Sequence, residues 1–206
     1  MLTISRIEDH VATLPYTTAV AALTGYFEAL RRSGHTLYFL TLTYKQEGDQ
    51  PLKLAGISRA FGFTYVELLR RYVHGCNFAR PKYQPLQPIV FAFPDQPKSK
   101  LKRLGVVPAH KVGLHHHAIV AAVPEVARRL DGSCSRDSLT SLCPRLLTSD
   151  LQRIGPTLDD ISNVVCYATA YAFKRLPRAD EDYRMLVFPH VERWKPATGV
   201  KRQLVA

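Results

Sequence analysis

The chain has 206 residues, 46% hydrophobic and 22% charged, a balance that supports one globular core and excludes a disordered or fibrous chain. Its 28 Lys and Arg against 17 Asp and Glu give a formal charge of +11, which favours a polyanionic partner, nucleic acid before an anionic membrane. No apolar run approaches the roughly 20 residues of a spanning helix, the first ten residues lack the basic-then-apolar layout of a secretory signal, and Cys76, Cys134, Cys143 and Cys166 show no CxxC or disulfide-framework spacing. The expectation is a cytoplasmic protein with reduced thiols and no membrane partner.

Residues 17–34, TTAVAALTGYFEALRRSG, carry apolar positions at helical spacing, two arginines in the last turn and a glycine stop. Residues 35–45, HTLYFLTLTYK, are rich in β-branched and aromatic side chains and read as a strand, apolar enough at its centre to lie inside a covered sheet. A helix is expected from about Ser58 within residues 56–75, with Arg70 and Arg71 near its end, followed by a proline-rich loop over 79–88. IVFAF (89–93) is a second strand, the basic stretch PKSKLKR (97–103) a loop, and HKVGLHHHAIVAAV (110–123) a third strand. Pro124 opens a short helix. Residues 131–150 have no strong period and read as a loop with a short edge strand. The strongest helix covers 157–176, with Thr157 or Asp159 as cap, Asp160 at its positive end, and Lys174 and Arg175 at its negative end. This order of elements argues for an α+β domain with an antiparallel sheet.

Two stretches carry chemistry. Side chains alternate along a strand, so His115 and His117 share one face and His116 points to the other. Two imidazoles so placed fit one divalent ion, or else satisfied core histidines. On the last helix Tyr167, Tyr171 and Lys174 are four and three residues apart and share a face, while Ile161, Val164, Val165, Ala168 and Ala172 form the packed side. That face is either reactive or a half-buried aromatic pair with a snorkelling lysine.

Taken together these stretches resemble the HUH endonuclease superfamily, the rolling-circle replication initiators and their relatives. FLTLTY (39–44) is similar to the family's first motif. HHH (115–117) matches the His-hydrophobe-His motif with His116 in the hydrophobe's place, and YAFK (171–174) matches YxxK. Tyr167 stands four residues earlier, as in the two-tyrosine branch typified by isometric-phage initiators, although Ala170 occupies the position where that branch often has lysine. The resemblance covers roughly residues 35–176.

It implies a single domain over residues 1–206, with a catalytic core at about 35–176 and an extension over 177–206. Within it, about five antiparallel strands are flanked by helices, the HxH strand is central and the tyrosine helix lies across the sheet. It also implies metal-dependent, site-specific nicking and joining of single-stranded DNA through a 5′-phosphotyrosine, initiating rolling-circle replication of a plasmid or phage. Tyr171 is then the first nucleophile, with Tyr167 and Lys174 beside it. His115 and His117 hold Mg²⁺ or Mn²⁺, with a third ligand from a neighbouring strand for which Asp95, His110 and Glu47 are candidates. Lys98, Lys100, Lys102 and Arg103, with Arg70 and Arg71, are read as a phosphate track; Tyr83, Phe91 and Trp194 are read either as base-stacking groups or as packing. No GxxxxGK(S/T) phosphate loop occurs in the sequence, so unwinding and synthesis at a replication origin would fall to a host helicase and polymerase. A transposase or relaxase would use the same residues on other DNA. A non-catalytic basic DNA-binding regulator would explain the charge alone.

Overall fold

A computed structural model describes residues 11, 14–45, 53–95, 114–174 and 184–189. Helix α1 (Tyr16–Arg32) stops where Gly34 takes a φ of 93°, a left-handed conformation that glycine adopts without steric cost. The His35 N–H then donates to Leu30 O at 3.1 Å and the Gly34 N–H to Arg31 O at 3.0 Å, the paired bonds of a Schellman ending. The turn delivers the chain into β1 (Thr36–Tyr44). Helix α2 (Leu54–Leu69) begins four residues before Ser58, and its hydrogen bonding widens after Leu69 into a π turn, Arg70–His74.

Strands β2 (Ile89–Asp95) and β3 (His115–Ala122) follow, then helix α3 (Pro124–Asp131) with Pro124 in its first turn. Residues 131–150 are only partly irregular. They lead into β4 (Leu146–Arg153), which is longer than the short edge strand expected there and extends beyond that stretch. Helix α4 (Leu158–Lys174) and the short β5 (Leu186–Phe188) complete the described elements.

The sheet order is β4-β1-β3-β2-β5 with every neighbouring pair antiparallel, so β3 is central and all of its residues are buried. Alternation sorts the side chains into two cores. On one face Tyr38, Leu40, Leu42, Ala118 and Val120 pack against Ile57, Phe61 and Leu68 of α2 and Val126 and Leu130 of α3. On the other, Leu37, Phe91, Phe93, Ile119 and Ala121 pack against Leu23 and Phe27 of α1 and Ile161, Val165, Ala168 and Ala172 of α4. Each fully buried large side chain contributes on the order of 2 kcal/mol by leaving water. The expected α+β class, the five antiparallel strands and the central HxH strand are thus observed. Among the described residues no helix is long and apolar enough to cross a membrane, and Cys134, Cys143 and Cys166 are free thiols.

Candidate metal centre and tyrosine helix

The β2–β3 pairing sets Asp95 directly opposite His115 and Phe93 opposite His117. Because residues two apart share a face, Asp95, His115 and His117 all project from the α4 side of the sheet. The His115 and His117 Nε2 atoms are 3.0 Å apart, and an Asp95 carboxylate oxygen lies 3.2 Å from His117 Nε2 and 3.7 Å from His115 Nε2. One donor atom from each residue falls within 4.8 Å of the others. An octahedron with bonds of about 2.1 Å has edges of about 3.0 Å, so the 3.0 and 3.2 Å separations fit adjacent ligands of one small divalent cation. Two imidazole nitrogens and one carboxylate oxygen form a mixed donor set for a divalent cation. Of the three candidates for a third ligand, Asp95 completes the group; His110 and Glu47 lie outside the described residues.

The neighbouring strand fixes one ring. Thr41 faces His117 across the β1–β3 pair, and its Oγ1 is 3.1 Å from His117 Nδ1. With Nδ1–H donating to the hydroxyl, the Nε2 lone pair is left aimed at the three-donor cluster, the usual second contact of a ligating histidine. Phe39, two residues earlier on the same face, stacks on the His117 ring at 5.3 Å and 25°. These contacts were within reach of the sequence: once FLTLTY is read as a strand beside HHH, Phe39, Thr41 and Thr43 share the histidine face.

Helix α4 brings Tyr167 to the same histidine. Its ring centroid is 4.8 Å from that of His117 and 5.9 Å from that of Phe39, while 60% of the residue stays exposed. Tyr171 follows one turn later, about 6 Å further along the axis, half-buried. Lys174 takes a different direction: its Nζ lies 4.1 Å from the ring centroid of Tyr16 on α1. The structure therefore joins Tyr167 to His117 and Lys174 to Tyr16, although Tyr167, Tyr171 and Lys174 belong to one helical face.

His116 occupies the opposite core. It is fully buried, its Nδ1 is 2.9 Å from the Tyr44 hydroxyl, and its ring lies 5.1 Å from that of Phe61. Burial, reinforced by the two adjacent histidines, holds its pKa down at about 3, so it is a neutral packing group. Phe91 is fully buried between α1 and the sheet, which makes it core and not a base-stacking group. Tyr83 stacks on His74 at 4.1 Å, on the other side of the sheet from the three donors. Lys98, Lys100, Lys102 and Arg103 lie outside the described residues, within the segment that joins Asp95 to Leu114, and Trp194 also lies outside them.

Helix α4 packs over β2 and β3 and leaves part of the sheet open. On its side of β1 and β4, Phe39, Thr41, Thr43, Thr148 and Asp150 are half-buried and Gln152 is exposed. This floor is continuous with the three donors, and the exposed Arg136, bridged to Asp150 beyond β4, stands at its outer edge.

Fold and site together define a class: an α+β domain in which two histidines of the central antiparallel strand, a carboxylate of the neighbouring strand and a helical tyrosine meet on one face. Comparison with protein-family models, with curated proteins and with solved structures found no match.

Proposed function

We propose that the protein is a metal-dependent endonuclease and strand transferase that nicks and rejoins single-stranded DNA through a tyrosine, as an initiator of rolling-circle replication of a plasmid or phage. The observation that carries the reading is the placement of the Tyr167 ring against His117, one of three clustered metal-type donors. Two features agree with it. The formal charge of +11 suits a phosphodiester substrate, and the open floor of β1 and β4 gives a single strand access to the donors from the side that α4 leaves uncovered.

Asp95, His115 and His117 would hold the cation, which when bound draws charge from a phosphate oxygen and eases attack at phosphorus. The phenol oxygen forms the new P–O bond as its proton departs, and the P–O3′ bond breaks, leaving a 5′-phosphotyrosine and a 3′-OH. One ester replaces another, so the reverse attack by a 3′-OH rejoins strands without ATP. A phenol with an ordinary pKa of about 10 is a weak nucleophile at neutral pH, and the site's work is to bring it in line with an electron-poor phosphorus. Tyr171 has the lysine at the matching position of YxxK and is the proposed nucleophile for the first cut. Tyr167, against the histidine, is placed for the second transfer in a two-tyrosine cycle.

The deciding experiment incubates labelled single-stranded DNA with the protein in Mn²⁺ and in chelator, then maps the covalent peptide–DNA adduct by mass spectrometry. The expected result is a Mn²⁺-dependent adduct on Tyr171 or Tyr167, lost in His115→Ala and His117→Ala. DNA binding with no adduct on either tyrosine would replace the enzyme with a non-catalytic DNA-binding regulator. A transposase or relaxase would form the same adduct but on different DNA.

A further inference from the structure

Six of the protein's described cations lie on the far side of the sheet from the three donors. Arg70 and Arg71 lie in the π turn, Arg80 and Lys82 in the segment that follows, and Arg128 and Arg129 on α3, all on the outer surface of the layer that covers the opposite face of the sheet. Among the described residues only Glu67 and Glu125 form ion pairs with them, one with Arg70 and one with Arg129.

Specific bonds hold this surface. Arg129 Nη1 donates to Tyr72 O at 2.9 Å and to Val73 O at 3.0 Å, satisfying carbonyls of the π turn from α3. The Tyr72 and Ser133 hydroxyls meet at 2.7 Å beneath it. Lys82 Nζ sits 4.7 Å from the Tyr83 ring centroid, and that ring is already covered by His74. A π turn is rare and concentrates at functional positions; here it ends α2 with two adjacent exposed arginines.

We infer that this basic surface is a second binding site, for the phosphate backbone of double-stranded DNA, separate from the three-donor face. The chemistry is that of backbone contact. It offers guanidinium and ammonium groups at several points but leaves Tyr83 engaged with His74 and Lys82, so bases gain little by being turned toward it. A duplex shows phosphates outward and hides its bases, whereas the floor beside the three donors, with Phe39 and hydroxyl and amide groups at its centre and a cation only at its Arg136 edge, is the surface suited to exposed bases. The protein would therefore grip a duplex segment on one face and process a single strand on the other. The assignment does not depend on the metal reading, because none of its residues lies on the α4 side of the sheet.

The test compares the wild type with Arg71→Ala/Lys82→Ala/Arg128→Ala on a blunt duplex across a salt series, with circular dichroism as the check on folding. Loss of three phosphate contacts should make the slope of log K against log salt shallower by about 2 to 3 and weaken binding about tenfold or more at low salt. Arg71→Lys/Arg128→Lys, which keeps the charge, should retain the wild-type slope, and Asp95→Ala should bind duplex as the wild type does. An unchanged duplex slope in the folded triple variant overturns the proposal. So does an equal loss for a short single strand, which would make the surface part of the substrate path. Equal, variant-sensitive binding to phosphatidylserine vesicles would overturn it in favour of a membrane surface.

Discussion

At the scale of single residues, the three consecutive histidines divide between two environments. His115 and His117 stand in a polar cluster with a carboxylate, while His116 is a neutral imidazole in an aromatic core, tied to the buried Tyr44 hydroxyl. Substituting His116 by Leu brings the strand closer to a His-hydrophobe-His pattern but strands that hydroxyl, at a cost of about 1 to 3 kcal/mol. Tyr44→Phe in the same chain removes the orphaned group, so the double variant should return to within about 1 kcal/mol of the wild type. Equilibrium denaturation of the two single variants and the double variant measures this, and Mn²⁺ uptake should be the same in all of them. Additive losses would mean that the Tyr44–His116 bond has no energetic role.

At the scale of elements, α4 rests on its N-terminal cap. The Thr157 N–H and hydroxyl both donate to Asp160 Oδ2, at 3.1 and 2.6 Å, and the Asp160 N–H donates back to Thr157 Oγ1 at 3.1 Å. These bonds to Thr157 hold the Asp160 carboxyl below its ordinary pKa. Thr157→Ala should cost about 1 kcal/mol, read as a fall of about 2 to 4 °C in melting temperature for a chain of this size. Because the folded pKa is depressed, the difference is full above the unfolded carboxyl's pKa. The carboxylate's share fades as the pH falls through the lower folded value, so the gap should narrow in strong acid to that of the cap bond from the Asp160 N–H to Thr157 Oγ1. A gap that does not narrow in acid would assign the loss to something other than this carboxylate.

How far the elements were legible follows from what each one uses. Helix α4 announced itself through Thr157, Asp160 and an apolar stripe at helical spacing, and β1 and β3 through dense apolar and β-branched runs. Strand β4 showed only as a short edge strand within 131–150: Ser149, Asp150, Gln152 and Arg153 have weak strand preference, and an irregularity between Thr43 and Tyr44 shifts its register. It is a strand because β1 offers it a ladder. The widening of α2 into a π turn was illegible for a similar reason, since its carbonyls are satisfied by Arg129 from a helix about sixty residues away in the chain.

At the scale of the whole molecule, composition gave the charge but not its distribution. The +11 pointed to a polyanion, yet only the layering of helices on both faces of the sheet separates the exposed arginines of the π turn and α3 from the donors beside α4. The pair of histidines was readable from strand alternation alone. The carboxylate was legible only as one of three candidates, because Asp95 joins them through the register of β2 on β3, and nothing in the sequence fixes a register between segments about twenty residues apart.

That register also bears on how the chain reaches its native state. All three donors belong to one antiparallel pair, β2 with β3, whereas the pairing that brings Thr41 to His117 joins residues 76 apart. Contacts close in sequence form before distant ones reward their loop-closure entropy. The β2–β3 pair can therefore assemble a complete ligand set while β1 and β4 are still unpaired, and Mn²⁺ should act on the folding barrier itself. Stopped-flow refolding should accelerate with Mn²⁺ in the wild type but not in Asp95→Ala, with little change in the unfolding rate. If Mn²⁺ slowed only unfolding, the donors would come together after the barrier, and the ion would be a guest of the finished sheet instead of a nucleus for it.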